Sequence, residues 1–236
     1  MENSINNNNN NNLDTLIVIS RFNENLEWLK DEPFHKYDKL IYNKGLNNDF
    51  YHSEKEKGII SIENIGRCDH TYLYHIINNY DNLNDITIFL PGSVDMYVKM
   101  QRCIRLLNLI EENKSAVFFL TNYENVKNEY YSFQLDSWDS SHEKNAILTK
   151  NDTLKPANIR PFGKWFEDKF GDLIIHHISW WGIFSISKKD ILQHPKSYYE
   201  NLITELNTHS NPEAGHYFER SWEAVFYPLK DTKILY

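Results

Sequence analysis

Two cysteines, Cys68 and Cys103, are all that the 236 residues contain, and they show no ligand-like spacing. That excludes a disulfide framework and a structural zinc site, and it fits a reducing intracellular compartment. Glycine is scarce as well, at 8 residues. No Walker loop and no G-x-G-x-x-G is present, and G-x-S-x-G and H-E-x-x-H are missing too, so the familiar phosphate loops and the serine and zinc hydrolase signatures are excluded. No apolar run approaches the roughly 20 residues of a membrane span. The N-terminus has no basic stretch followed by an apolar core, so no signal peptide is expected. Basic residues are outnumbered, 25 Lys and Arg against 33 Asp and Glu, for a formal net charge of −8. This balance argues against a nucleic-acid partner. The expectation is a soluble protein of cytoplasmic type.

Apolar and aromatic side chains are plentiful, at 41% and 14%. They suffice for one large α/β domain. Residues 1–13 include the run Asn6–Asn12 and read as a disordered, Asn-rich tail. Residues 14–236 then form a single domain.

The stretch TLIVISRFNENLEWL, Thr15 to Leu29, is the organising element. Leu16-Ile17-Val18-Ile19 is a short, continuously apolar run, as in a buried parallel strand. It breaks into Ser20-Arg21-Phe22-Asn23-Glu24-Asn25 and resumes as a helix-like segment. Arg21, Asn23 and Glu24 thus stand where open α/β sheets bind ligands, at the carboxyl end of a strand. A plain helix cap by Asn23 or Asn25 explains the same residues, and the choice stays open at this stage.

Further along, Lys39–Asn43 reads as a strand ending in the turn Asn43-Lys44-Gly45, and Ile59–Ile62 as a weak extended segment. Asp69 suits the cap of a helix with Leu73, Ile76, Ile77 and Tyr80 on one face. Gly66-Arg67 just before it suits an anion, by close backbone approach and positive charge. Strands at Asp85–Leu90 and Ala116–Leu120 flank a helix from about Val94 to Glu112. The alternation of strand and helix predicts a mostly parallel sheet. Residues 121–160 lose periodicity and read as an insertion or long loop, a class often functional. Leu173–Ser187 reads as a bent strand broken at Trp180-Trp181-Gly182, where glycine permits close ligand approach. From Asn211 onward, Ala214, Phe218, Trp222 and Val225 share one helical face, and Glu213, His216, Glu219, Arg220 and Glu223 the other. The pattern predicts an amphipathic helix with a solvated polar face.

The residues left for chemistry are carboxylates and histidines near strand ends: Glu24, Asp95, the pair Asp136 and Asp139, Glu213, Glu219, and His176, His177 and His216. A divalent cation bridging a diphosphate needs one or two hard carboxylate oxygens, and Asp95 after Pro91-Gly92 is the best placed.

The ordered series SRFNENLEWL, IYNKG, ENIGRCDHTYLYHIINNYDNL, ITIFLPG, SWWGIFSISKKDILQHPKSYYENL and NPEAGHYFERSWEAVF resembles a little-characterised domain family of fungi, algae and large DNA viruses. The resemblance covers nearly the whole chain after the Asn run. That family is distantly similar to nucleotide-sugar glycosyltransferases of GT-A type. The similarity implies a Rossmann-like, GT-A-like fold and sugar transfer from a nucleotide-sugar to a carbohydrate or glycoprotein acceptor. It assigns a Mn or Mg ion to Asp95 with His216, and the diphosphate to Arg21 or Arg67 beside Gly66. It makes Glu213 or Glu219 the base, has Trp181 stack on a sugar next to Gly182, and places Arg220 on the acceptor side. GT-A enzymes usually carry Asp-x-Asp where this chain has the single Asp95. The resemblance also admits a non-catalytic nucleotide- or carbohydrate-binding module, or a viral structural or interaction protein, in the host cytoplasm or virion.

Overall fold

Apolar residues fill both sides of the first strand because it lies in the middle of a sheet covered on both faces. The computed structural model describes residues 13–119, 121–149 and 152–235. The Asn-rich tail expected to be disordered therefore falls outside them, except for Leu13. Strands β1 (Thr15–Arg21), β2 (Asp38–Asn43), β3 (Glu56–Ser61) and β4 (Ile86–Pro91) are followed by β5 (Val117–Phe119) and β6 (Thr121–Asn122). Then come β7 (His177–Ile178), β8 (Phe184–Ser187) and β9 (Lys233–Leu235). Five of them form the central sheet in the order β3-β2-β1-β4-β8, all parallel except β8. The helices are α1 (Arg67–Asn78), α2 (Tyr97–Asn113), α3 (Val126–Glu129), α4 (Glu143–Leu148) and α5 (Phe162–Phe170). They continue with α6 (Lys188–Ile191), α7 (Lys196–Ile203), α8 (Glu213–Glu219) and α9 (Trp222–Val225).

The two faces of β1 lead to two cores. Leu16 and Val18 pack with Tyr72, Phe89, Phe184 and Trp222 beneath α1, α5 and the C-terminal helices. Ile17 and Ile19 pack with Trp28, Ile88, Leu106 and Leu107 beneath α2. The first core is aromatic, with Trp222 5.0 Å from Phe184 and stacked on Phe226 at 5.8 Å between ring centroids. Burial of each such ring stabilises the fold by about 2–3 kcal/mol.

The mixed α/β domain with a mostly parallel sheet agrees with the strand–helix alternation of the sequence. Three local expectations are corrected. The helix after β1 is only a 3-10 turn, Glu27–Lys30, entered through Leu26 in the left-handed region. Strand β5 leaves the main ladder and pairs with β9. It stays beside the sheet because Ser185 Oγ of β8 accepts from the Val117 amide at 2.7 Å and donates to its carbonyl at 2.8 Å. The C-terminal helix is two pieces, α8 and α9, and its polar face is not solvated. Glu213, His216, Arg220 and Glu223 are all buried, because Phe133, Leu135, Trp138 and β7 pack over them. The aperiodic insertion contains β6, α3 and α4, and β6 pairs antiparallel with β7. Among the described residues no helix is long and apolar enough to cross a membrane.

Strand order sets the position of the site. The chain steps outward from β1 to β2 to β3 and then returns to place β4 on the other side of β1. Connections leave β1 and β4 in opposite directions, so a crevice opens at their carboxyl ends.

Candidate functional site

A cavity of about 180 Å³ occupies that crevice. Ser20, Phe22 and Glu24 line it from the end of β1, and Pro91 and Ser93 from the end of β4. Arg67, Cys68 and Asp69 enter from the first turn of α1, Lys99 from the first turn of α2, and Lys44 from just past β2. Opposite them stand His216 and Glu219 of α8 and the Trp181-Gly182 turn. The insertion closes the cavity with Trp138, Ser140, Ser141 and Asn145. Ser20 Oγ and Thr71 Oγ1, 2.8 Å apart, tie the end of β1 to α1.

The cations are placed against the local field. Helix N-termini carry positive potential and favour anions, yet Arg67 is the first residue of α1 and Lys99 the third of α2. Neither they nor Lys44 enter an ion pair among the described residues. Lys99 Nζ donates to Ser93 Oγ at 2.6 Å. The Arg67 guanidinium lies 3.7 Å over the Trp138 ring, and its Nη1 donates to His216 Nε2 at 3.2 Å. A guanidinium has no acceptor, so His216 Nε2 is unprotonated and the ring neutral. Burial, then the charges of Arg67 and Arg220, push the His216 pKa far down, in agreement. Burial lowers the pKa of Lys99, and lowers Lys44 to about 7.

Four carboxylates line the cavity under different conditions, and one of them, Asp152, accepts from Ser210 Oγ at 2.9 Å. Glu24 Oε2 accepts from the backbone N–H of Phe22 and Asn23, at 2.7 and 3.0 Å, and its Oε1 from Asn145 Nδ2 at 2.7 Å. Glycine at 92 is required for this arrangement, since a Cβ there would stand 2.7 Å from Glu24 Oε2. Glu219 Oε1 accepts from the Trp181 amide at 2.8 Å and holds that residue in a left-handed turn with φ 63°. Asp69 Oδ1 accepts from Trp222 Nε1 at 3.1 Å, and its Oδ2 from the Cys68 thiol at 3.7 Å. Burial pushes the Asp69 pKa up to about 7, against the opposing charge of Arg67. A carboxylate titrating near neutrality suits general-base work.

Of the residues singled out from the sequence, Glu24, Arg67, Trp181, Gly182, His216 and Glu219 meet in the cavity. The others lie behind it. Arg21 is consumed by Glu24 O, Asn43 Oδ1 and Asn47 O at 2.8–3.0 Å. Asn23 gives only its amide, and Gly66 caps α1 with φ 60°. Arg220 donates to His216 O at 2.8 Å and stacks 3.8 Å from the Phe133 ring. Glu213 is fully buried, accepts from Leu135 N, Ala157 N and Tyr217 Oη at 2.8–2.9 Å, and forms an ion pair with Arg160 Nε at 2.8 Å. Closed to solvent, engaged by the fold and away from the cavity lining, it has no access to an acceptor hydroxyl. Asp95 stands outside and pairs with His142 Nε2 at 3.2 Å. Asp136 pairs with Arg160, and His177 with Glu223.

A divalent cation on Asp95 and His216 does not fit these residues. Asp95 does not line the cavity, and the His216 lone pair is taken by a guanidinium that would repel the metal. Among the described residues no three His, Cys, Asp or Glu side chains converge as a ligand set.

Lys44, Asp69, Lys99 and Trp138 are cavity residues that sequence reasoning passed over. Lys44 was legible as the end of β2, by the logic applied to Arg21. Lys99 was legible as a cation in the wrong turn of a helix. Asp69 reads as a cap but points inward, and Trp138 sits in a stretch without periodicity.

The fold and site define a mixed α/β domain with a polar, cation-lined cavity where the sheet's strand order reverses. The chain belongs to the family described as a protein of unknown function, DUF3431, whose profile matches residues 16–233. No curated protein matches the chain.

Proposed function

We propose that the cavity transfers a sugar from a nucleoside-diphosphate donor to an acceptor hydroxyl, and that side-chain cations replace a bound metal in neutralising the leaving diphosphate. One observation carries this reading: Arg67 and Lys99, in no ion pair among the described residues, project from two helix N-termini into a cavity that also holds Asp69. Its place at the crevice between β1 and β4 supports a Rossmann-like, GT-A-like classification of the fold.

As the glycosidic bond to the diphosphate breaks, the sugar gains oxocarbenium character and the leaving group gains negative charge. Arg67 and Lys99 sit where that charge develops, and the two helix ends add to their field. The acceptor hydroxyl attacks the anomeric carbon and gives its proton to Asp69, which Trp222 orients. Trp181, fixed by Glu219, offers an aromatic face to a sugar.

The test is release of nucleoside diphosphate from a panel of nucleotide-sugars in the presence of EDTA. The expected result is release with one donor, abolished in Asp69→Asn and in Arg67→Ala. Binding of the nucleotide without release under any condition would make the domain a binding module. Absence of both would overturn the proposal.

A further inference from the structure

Lys44 is a buried ammonium for which the transfer chemistry has no use. It follows β2, lines the cavity, and has no ion-pair partner among the described residues. A buried charge without a carboxylate is costly and needs a reason. Its ammonium donates to two backbone carbonyls, those of Ile65 and Arg67. These flank Gly66, and both Gly66 and Arg67 are left-handed, with φ 60° and 54°. Glycine adopts this conformation freely, but for arginine it is strained and persists only where the surroundings hold it. The Gly66 amide is held by His209 O at 2.8 Å, and a Cβ on Gly66 would stand 2.5 Å from His70 Cβ. A Cβ on Gly215 would approach Arg67 Cδ to 2.9 Å, so the arginine stem lies close along α8.

We infer that Lys44 is a positioning residue: by gathering the carbonyls of Ile65 and Arg67 it locks the left-handed entry of α1 and aims the Arg67 guanidinium at the anion. The inference rests on the reading of the cavity as a diphosphate site. It makes Lys44 act through Arg67 rather than as a third independent charge, and a double-mutant cycle separates the two.

The probe is inorganic pyrophosphate, titrated calorimetrically into the full chain and into Lys44→Met, Arg67→Ala and the double variant. Expected are about tenfold losses for each single variant, and a double variant within about twofold of Arg67→Ala alone. The indole N–H resonance of Trp138, which reports the guanidinium stacked on it, should move in Lys44→Met. If Lys44→Met does not fold, Lys44→Gln takes its place in the same cycle. Multiplicative losses, or a Lys44 variant with unchanged affinity and an unmoved Trp138 signal, would overturn the positioning role while leaving the diphosphate site standing. An Arg67→Ala variant that binds as the parent does, or a parent that does not bind, would overturn both.

Discussion

Two buried acids near the C-terminal helices show how differently the same side-chain chemistry is used. Glu213, at the start of α8, is closed to solvent and satisfied by two amides, a tyrosine hydroxyl and Arg160. Asp69, at the start of α1, is nearly as buried but is served by an indole and a weak thiol donor, and has a cation-lined cavity before it. The arginines follow the same division. Arg21 is enclosed by carbonyls and an amide oxygen, whereas Arg67 keeps part of its fork for the cavity. A buried charge whose partners are all supplied by the fold is structure. A buried charge left short of partners costs stability, and the fold keeps it where a ligand can complete it.

The comparison breaks most visibly at Glu213. Its replacement by alanine strands Arg160 and two backbone amides and should cost about 3–5 kcal/mol, read as a large drop in urea midpoint. The opposite sign is expected at Asp69. Below pH about 4 the residue is protonated in the folded and unfolded chains alike. Between there and pH about 7 the unfolded chain releases the proton while the folded one retains it, so Asp69 destabilises the fold increasingly as pH rises. Asp69→Asn should therefore raise stability by on the order of 2–4 kcal/mol at pH 8, with the gain shrinking towards pH 4. A pH-independent difference would contradict the burial argument. The arginines sharpen the contrast further. Arg21→Met should lower stability by roughly 2–3 kcal/mol, since three buried acceptors lose their donor. Arg67→Ala should leave stability within about 1 kcal/mol while weakening diphosphate binding about tenfold. The smallest effect belongs to Trp138→Ala, which removes the stack beneath Arg67 and should weaken pyrophosphate binding several-fold, corresponding to about 1 kcal/mol.

The sheet was more legible than the site. Period and composition located β1, β2, β4 and α2 to within a few residues, because both cores draw on continuous apolar runs that leave little ambiguity. The location of a cavity at the end of β1 followed from the same reasoning. The occupants did not, since a strand-end arginine such as Arg21 and a helix-start arginine such as Arg67 carry the same letter. Only the packing decides which one is consumed by carbonyls. The C-terminal helix misled for a related reason. Its polar face looked solvated because its cover comes from residues such as Phe133, Leu135 and Trp138, in a stretch whose own pattern predicts nothing. Residues such as Trp138 and Asn145 reach the site through tertiary contacts that no local period encodes.

The central claim is that Arg67, without a metal, receives the diphosphate. Thermal denaturation with a series of nucleoside diphosphates, in EDTA and again in manganese, tests it most directly, because a ligand that binds the folded chain raises its melting temperature. The account predicts a shift with at least one nucleotide that is as large in EDTA as in manganese and that in Arg67→Ala needs about tenfold more nucleotide. A shift that needs manganese, or that is undiminished in Arg67→Ala, would contradict it.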